Sequence, residues 1–114
     1  MKQAIQEAEN VRKLVTVSYQ YGTIKVPQYS RIRINLKSGK IIYGFLVGEI
    51  NNNFVVIIPN NIALFQKGIV KGFRTSIHKG TIRDFKFDKG AIVSYSTNPN
   101  NSVTNKGGNV NALH

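Results

Sequence analysis

Arg31 and Arg33 stand two residues apart in a segment where Ile32, Ile34 and Leu36 alternate with them, so a strand here would turn both guanidiniums to one face and the aliphatic side chains to the other. Neighbouring guanidiniums repel, and the planar fork of arginine suits phosphate oxygens. The pair therefore points to an anionic partner. The other cations extend this. Arg12, Lys13, Lys25, Lys37 and Lys40 join the pair between Asn10 and Gly48 with no carboxylate among them, and Lys67, Lys71, Arg74, Lys79 and Arg83 lie after Ile50, again with none. Residue types suited to other chemistry are sparse. His78 and His114 are the two imidazoles, and cysteine is absent, which removes thiolate catalysis, disulfides and zinc knuckles. Asp84 and Asp88 are four apart, a spacing that meets on a helix but not along a strand, so they are expected to pair with Arg83, Lys86 or Lys89 rather than act as a catalytic dyad. Gly39 and Gly44 lack a following Lys-Ser or Lys-Thr and read as turns, not as a phosphate loop. Neither an enzyme, a metal site nor a cofactor site is expected.

The elements that must position these cations are short. From Leu14 the hydrophobic period is two, with Val15, Val17 and Tyr19 alternating with polar residues. Tyr21-Gly22-Thr23 reads as a turn, and Ile24 to Pro27 as a return arm. Arg31 to Leu36 follows, then a Ser38-Gly39 turn and Lys40 to Val47. Gly48-Glu49 and Asn51-Asn52-Asn53 break the pattern before Phe54 to Ile58. Pro59-Asn60-Asn61 opens an irregular connection. Ile69 to Ile77, Thr81 to Phe87 and Ala91 to Tyr95 are the remaining strand candidates. Residues 2 to 13 have helix-forming composition, with Ala4, Ile5, Ala8 and Val11 at three-to-four spacing. Residues 98 to 109 are rich in Asn and Gly, and the tail is expected to order only against a partner, with Lys106 near phosphate.

The chain has 114 residues, one domain's worth, with 16 Lys and Arg against 5 Asp and Glu for a net charge of +11. A hydrophobic fraction of 41% is too high for a disordered basic tail. The expected fold is all-β: a small five- or six-stranded antiparallel β-barrel at 14–97, with a short N-terminal helix or arm at 1–13 and an irregular C-terminal extension at 98–114. The apolar stretches fall well short of the roughly 18 residues of a spanning helix, and a basic amphipathic membrane helix is missing because most cations lie in strand-like sequence. Nucleic acid is the expected partner and no membrane is. Tyr19, Tyr21, Tyr29 and Tyr43 are of a type that stacks on bases and equally of a type that packs over the ends of a barrel. Thirteen Asn and fourteen Ile suggest an AT-rich coding genome.

Lys67-Gly68, Arg74-Thr75, the run Phe87-Asp88-Lys89-Gly90-Ala91-Ile92-Val93 and Asn98-Pro99 follow one another in an order and spacing that, with a gap of about three residues before Arg74 and no counterpart in Asn100 to Thr104 of the family's Gly-Thr-Arg, resembles the universal large-subunit ribosomal proteins of type fourteen. Upstream, Val17 to Thr23 keeps Gly22 of that family's turn, and Tyr43-Gly44 with Gly48-Glu49 matches another of its segments with one extra residue. The family's basic cluster is reduced to Lys40-Ile41-Ile42, and its C-terminal motif to Gly108-Asn109-Val110 and Leu113. The resemblance implies a structural constituent of the large ribosomal subunit near the subunit interface. It would contact large-subunit rRNA, neighbouring large-subunit proteins and the small subunit at an intersubunit bridge. Arg31, Arg33, Lys37, Lys40, Lys67, Lys71, Arg74, Lys79, Arg83 and Lys106 are the expected RNA contacts. Bacterial and plastid members of the family are far more similar to one another than this sequence is to either, so the resemblance implies a divergent member of a mitochondrial ribosome encoded in an AT-rich genome, the alternative being the cytoplasm of an AT-rich bacterium. A second resemblance is to Sm-like RNA-binding barrels, which assemble into rings. Leu36-Lys-Ser-Gly39 with Gly44-Phe-Leu46 looks like their first signature and Ile77-His-Lys-Gly80-Thr-Ile82 like a weakened second, with the nucleotide pocket reduced to Glu49, Asn51 and Asn53. A basic virion structural barrel is the remaining alternative.

Overall fold

The computed structural model describes residues 12–97. The expected N-terminal helix, apart from Arg12 and Lys13, and the Asn/Gly-rich extension with Lys106 lie outside the described residues. Within them, the alternating segments form antiparallel strands: β1 (Leu14–Tyr19), β2 (Gly22–Pro27), β3 (Arg31–Leu36), β4 (Ile41–Ile50), β5 (Asn53–Pro59), β6 (Gly72–His78), β7 (Ile82–Phe87) and β8 (Ser94–Thr97). A short helix, α1 (Ile62–Lys67), joins β5 to β6, and a 3-10 turn, Lys79–Thr81, joins β6 to β7.

The fold is all-β and antiparallel, as the alternation predicts, but its strands do not close into one barrel. They form a three-stranded sheet, β1-β2-β8, and a five-stranded sheet, β6-β5-β4-β3-β7. Val15, Val17, Ile24 and Val26 from the small sheet meet Ile32, Ile34, Leu46, Phe54, Val56 and Ile77 from the large one, giving two layers around one core. Closure would require β1 to hydrogen-bond the large sheet through its outer edge. Instead the Ser18 N–H donates to Glu49 Oε1 at 2.8 Å, and the Ser18 carbonyl accepts from Lys79 Nζ. Side chains from β4 and from the 3-10 turn thus satisfy the Ser18 backbone on an edge that a strand would otherwise have to pair.

Three further departures from the sequence reading have local causes. Gly48-Glu49 does not end β4; the register shifts between Leu46 and Gly48, so the interruption is a bulge and the strand continues to Ile50. The real turn is Asn51-Asn52, both at positive φ (50° and 66°), between the paired residues Ile50 and Asn53. The connection after Pro59 contains α1, whose first turn is capped by Asn61 Oδ1 accepting from Leu64 N at 3.0 Å and whose end is closed by Gly68 in the left-handed region. The last strand is shifted to Ser94–Thr97 and pairs with β2, in the small sheet.

Candidate nucleic-acid interface

Core burial of Ile32 and Ile34 leaves Arg31, Arg33 and Asn35 on the outer face of the large sheet. The same alternation on β4 buries Leu46 and packs Ile42 against the core, so Tyr43 faces outward, and on β7 it packs Phe85 and Phe87 inward and leaves Lys86 exposed. The register then sets a row across three strands, because Arg33 lies directly opposite Tyr43 on β4 and directly opposite Lys86 on β7. Two like charges in cross-strand register repel, so this arrangement is unfavourable for the isolated sheet and favourable once an anion lies between them.

The three described carboxylates are each engaged with a cation. Asp88 Oδ2 accepts from Arg31 Nε at 2.6 Å, Glu49 Oε1 sits 3.0 Å from Lys79 Nζ, and Asp84 Oδ2 lies 3.3 Å from Arg83 Nε. Asp84 also accepts a short hydrogen bond from Asn35 Nδ2, the main cause that holds its carboxyl below the usual range; desolvation opposes it, and the hydrogen bond and charge of Arg83 and the charge of Arg33 each add a smaller lowering. Its folded-state pKa being depressed, Asp84 adds stability above its unfolded pKa and loses it as pH falls through the folded value. The cations without such a partner among the described residues, Arg33, Lys37, Lys40, Lys67, Lys71, Arg74 and Lys86 included, all face solvent.

The expected contacts divide. Lys37 and Lys40 flank the β3–β4 turn, next to the outer row, whereas Lys67 and Lys71 bracket the end of α1 and Arg74 sits on β6 opposite Ile57. Arg83 is exposed but shared with Asp84. Two residues have structural work. Besides Asp88, Arg31 donates through Nη1 to the carbonyls of Phe65 (3.3 Å) and Gln66 (2.9 Å), and its guanidinium lies 5.9 Å from the Phe65 ring. It thereby holds the C-terminal end of α1, a favourable place for a cation. Lys79 is turned inward, its side chain 18% exposed, its ammonium bonded to Glu49 and the Ser18 carbonyl and 5.5 Å from the Phe54 ring centre. Truncating it leaves the Glu49 carboxylate, still bonded to the Ser18 N–H, without its cation and the Ser18 carbonyl without its donor. Lys79→Ala is therefore expected to lower stability by about 1–3 kcal/mol in urea unfolding. A midpoint equal to that of the unmodified chain would show that the clamp is not stabilising.

Lys86 is the residue that cation counting missed. Its signal was present in the alternation of Phe85, Lys86 and Phe87, but its position opposite Arg33 depends on β7 returning to pair with β3, a contact between distant segments.

The two signatures of the Sm-like resemblance meet in space. Leu36 pairs with Ile82, Lys37 N donates to the Thr81 carbonyl at 2.9 Å, and Lys79 N donates to the Asn52 carbonyl at 3.0 Å. Several residues of the ribosomal-type motifs also converge, since Lys67, Gly68, Asp88 and Ala91 line one polar groove with Arg31. Among the described residues no group of three or more His, Asp or Glu is placed to hold a metal ion, and no helix is long and apolar enough to cross a membrane. No family model, curated protein or solved structure matches the chain.

Proposed function

We propose that this protein is a non-catalytic RNA-binding domain with a structural role in a ribonucleoprotein. What supports the reading most is the Lys86–Arg33–Tyr43 row, two cations and an aromatic in register on an outer sheet face, with the carboxylates among the described residues already engaged. The order of the ribosomal-type motifs favours the large ribosomal subunit as the particle, with large-subunit rRNA, neighbouring proteins and an intersubunit bridge as contacts. Divergence from the bacterial and plastid members of that family, together with the AT-rich composition, favours the mitochondrion. Sedimentation tests this directly: the protein is expected in the large-subunit fraction, retained in moderate salt. A protein found only at the top of the gradient would overturn the ribosomal assignment.

The Sm-like reading is the second, favoured by the hydrogen-bonded approach of the Leu36–Gly39 and Ile77–Ile82 segments and by Glu49 and Asn53 lying beside them. Light scattering on the purified protein separates the two, since a monomer is expected of the ribosomal reading and a ring of the Sm-like one.

The double substitution Arg33→Gln, Lys86→Gln checks the interface in either case. Removing two phosphate contacts is expected to flatten the logarithmic salt dependence of RNA binding by about 1.4 to 1.8 units. Stability should stay within about 0.5 kcal/mol, because both residues are exposed and their repulsion is relieved. An unaltered salt slope would remove this face from the interface.

A further inference from the structure

The small sheet covers only part of the inner face of the large one. Where β4 begins, β5 ends and β6 begins, that apolar face continues into an open groove of about 430 Å³, lined by Ile42, Ile58, Ile62 and Phe73 with Lys40, Tyr43 and Asn61 at its margin. Phe73 is 59% exposed and Ile62 53% exposed, and Phe73 has no ring partner among the described residues. Exposed apolar side chains gathered in a concave groove are a candidate ligand site. Charge narrows the occupant. No carboxylate lines the groove, Lys40 does, and Lys71 adjoins it, its carbonyl accepting from Asn60 N at 3.2 Å. Asn61 spends its Oδ1 on capping α1, leaving Nδ2 without a partner among the described residues.

An apolar slot with an unpaired aromatic, one free amide donor and cations at its margin matches a flat heterocycle carried on a phosphate chain. We infer that this groove seats an unpaired base of single-stranded RNA. Phe73 stacks on the base, Asn61 Nδ2 donates to its edge, and Lys40 and Lys71 take the flanking phosphates. The inference rests on the RNA-binding reading and deepens it by naming the strandedness of the ligand. In an A-form duplex the bases are paired and stacked and the groove edges are read mainly by shape, so a duplex could reach the outer cations but could not fill this slot. Stacking is tolerant of base identity, which makes the site one for unpaired RNA in general.

The full chain titrated with oligoadenosine, with oligouridine and with the duplex formed from the two provides the test, read by affinity and by NMR. Single strands are expected to bind about tenfold or more tightly than the duplex and to shift the Phe73 ring and the Ile58 and Ile62 methyl resonances; the duplex should leave those resonances in place. Phe73→Ala is expected to weaken single-strand binding roughly fivefold to a hundredfold, the range found for loss of one stacked base, with duplex binding unchanged. Phe73→Tyr should retain the wild-type affinity. Because Phe73 is largely exposed, its truncation should leave the melting temperature nearly unchanged, which separates lost binding from lost folding. Equal affinity for both forms, or single-strand binding without shifts at Phe73, would overturn the base seat and leave the RNA-binding reading standing. Failure of both forms to bind would overturn that reading and this inference together.

Discussion

Ile34→Asp is expected to abolish the folded state at ordinary temperature. Ile34 is fully buried in the middle of β3, facing the core shared by both sheets and paired with Ile42 and Phe85 on its two neighbours. A carboxylate there has no cation within the core to meet it, and its burial costs several kcal/mol whether it stays ionised or takes up a proton. A domain of this size has a total stability of roughly 5–10 kcal/mol, so one such change consumes most of it. Arg33→Asp, one residue away and facing solvent, is the control and should melt cooperatively near the original temperature. Circular dichroism on heating distinguishes them; a cooperative, little-changed transition for Ile34→Asp would refute the assignment of faces on β3, and with it the cationic row.

Gly72→Ala is expected to have the next largest effect, although it adds one methyl at an exposed position. A Cβ at residue 72 would stand 1.7 Å from the Ile58 carbonyl oxygen, 2.6 Å from its carbon and 2.8 Å from the Pro59 Cα, all backbone atoms that cannot rotate away. The β5–β6 pairing, which ends at Pro59 and Gly72, must open to admit it. A loss of about 1–3 kcal/mol is expected in urea unfolding, as for other overpacked sites. Gly48→Ala, where an added Cβ meets nothing within 4 Å, should cost less than about 0.5 kcal/mol. Matching midpoints for the two variants would show that the close approach at Gly72 is not a constraint.

The inner and outer faces of β1, β2 and β3 were legible because each reports burial through a period of two, whereas β5, a continuous apolar run buried at Phe54, Val55 and Val56 in succession, was legible as a strand but not in its faces. β4 was legible only to Val47, since a bulge and a chain end both look like a lost alternation in one dimension; the register across to Val55 and Val56 tells them apart. The helix was overlooked at six residues, too short to show a period, although Asn61 and Gly68 marked its ends. The barrel was a plausible closure of a meander, and whether it forms rests on what pairs with the outer edge of β1, which no local pattern in Leu14–Tyr19 encodes.

The candidate interface divides along the same line. Composition and alternation by themselves determined that the domain is basic, that it is built of antiparallel strands, and that Arg33 faces away from the core, because these depend on residue type and nearest neighbours along the chain. Tertiary structure alone decided which cations remain available to a ligand. Arg31 and Lys79 look like Arg33 and Lys40 in sequence, yet the first holds the end of α1 and Asp88 while the second clamps Glu49 and Ser18 between the sheets. Lys86 became a neighbour of Arg33 only through the return of β7 to β3, and the groove beside Phe73 exists because the small sheet stops short of the end of the large one. A charge acts through the few ångströms around it, and for these residues those ångströms are filled by segments that lie tens of positions away along the chain.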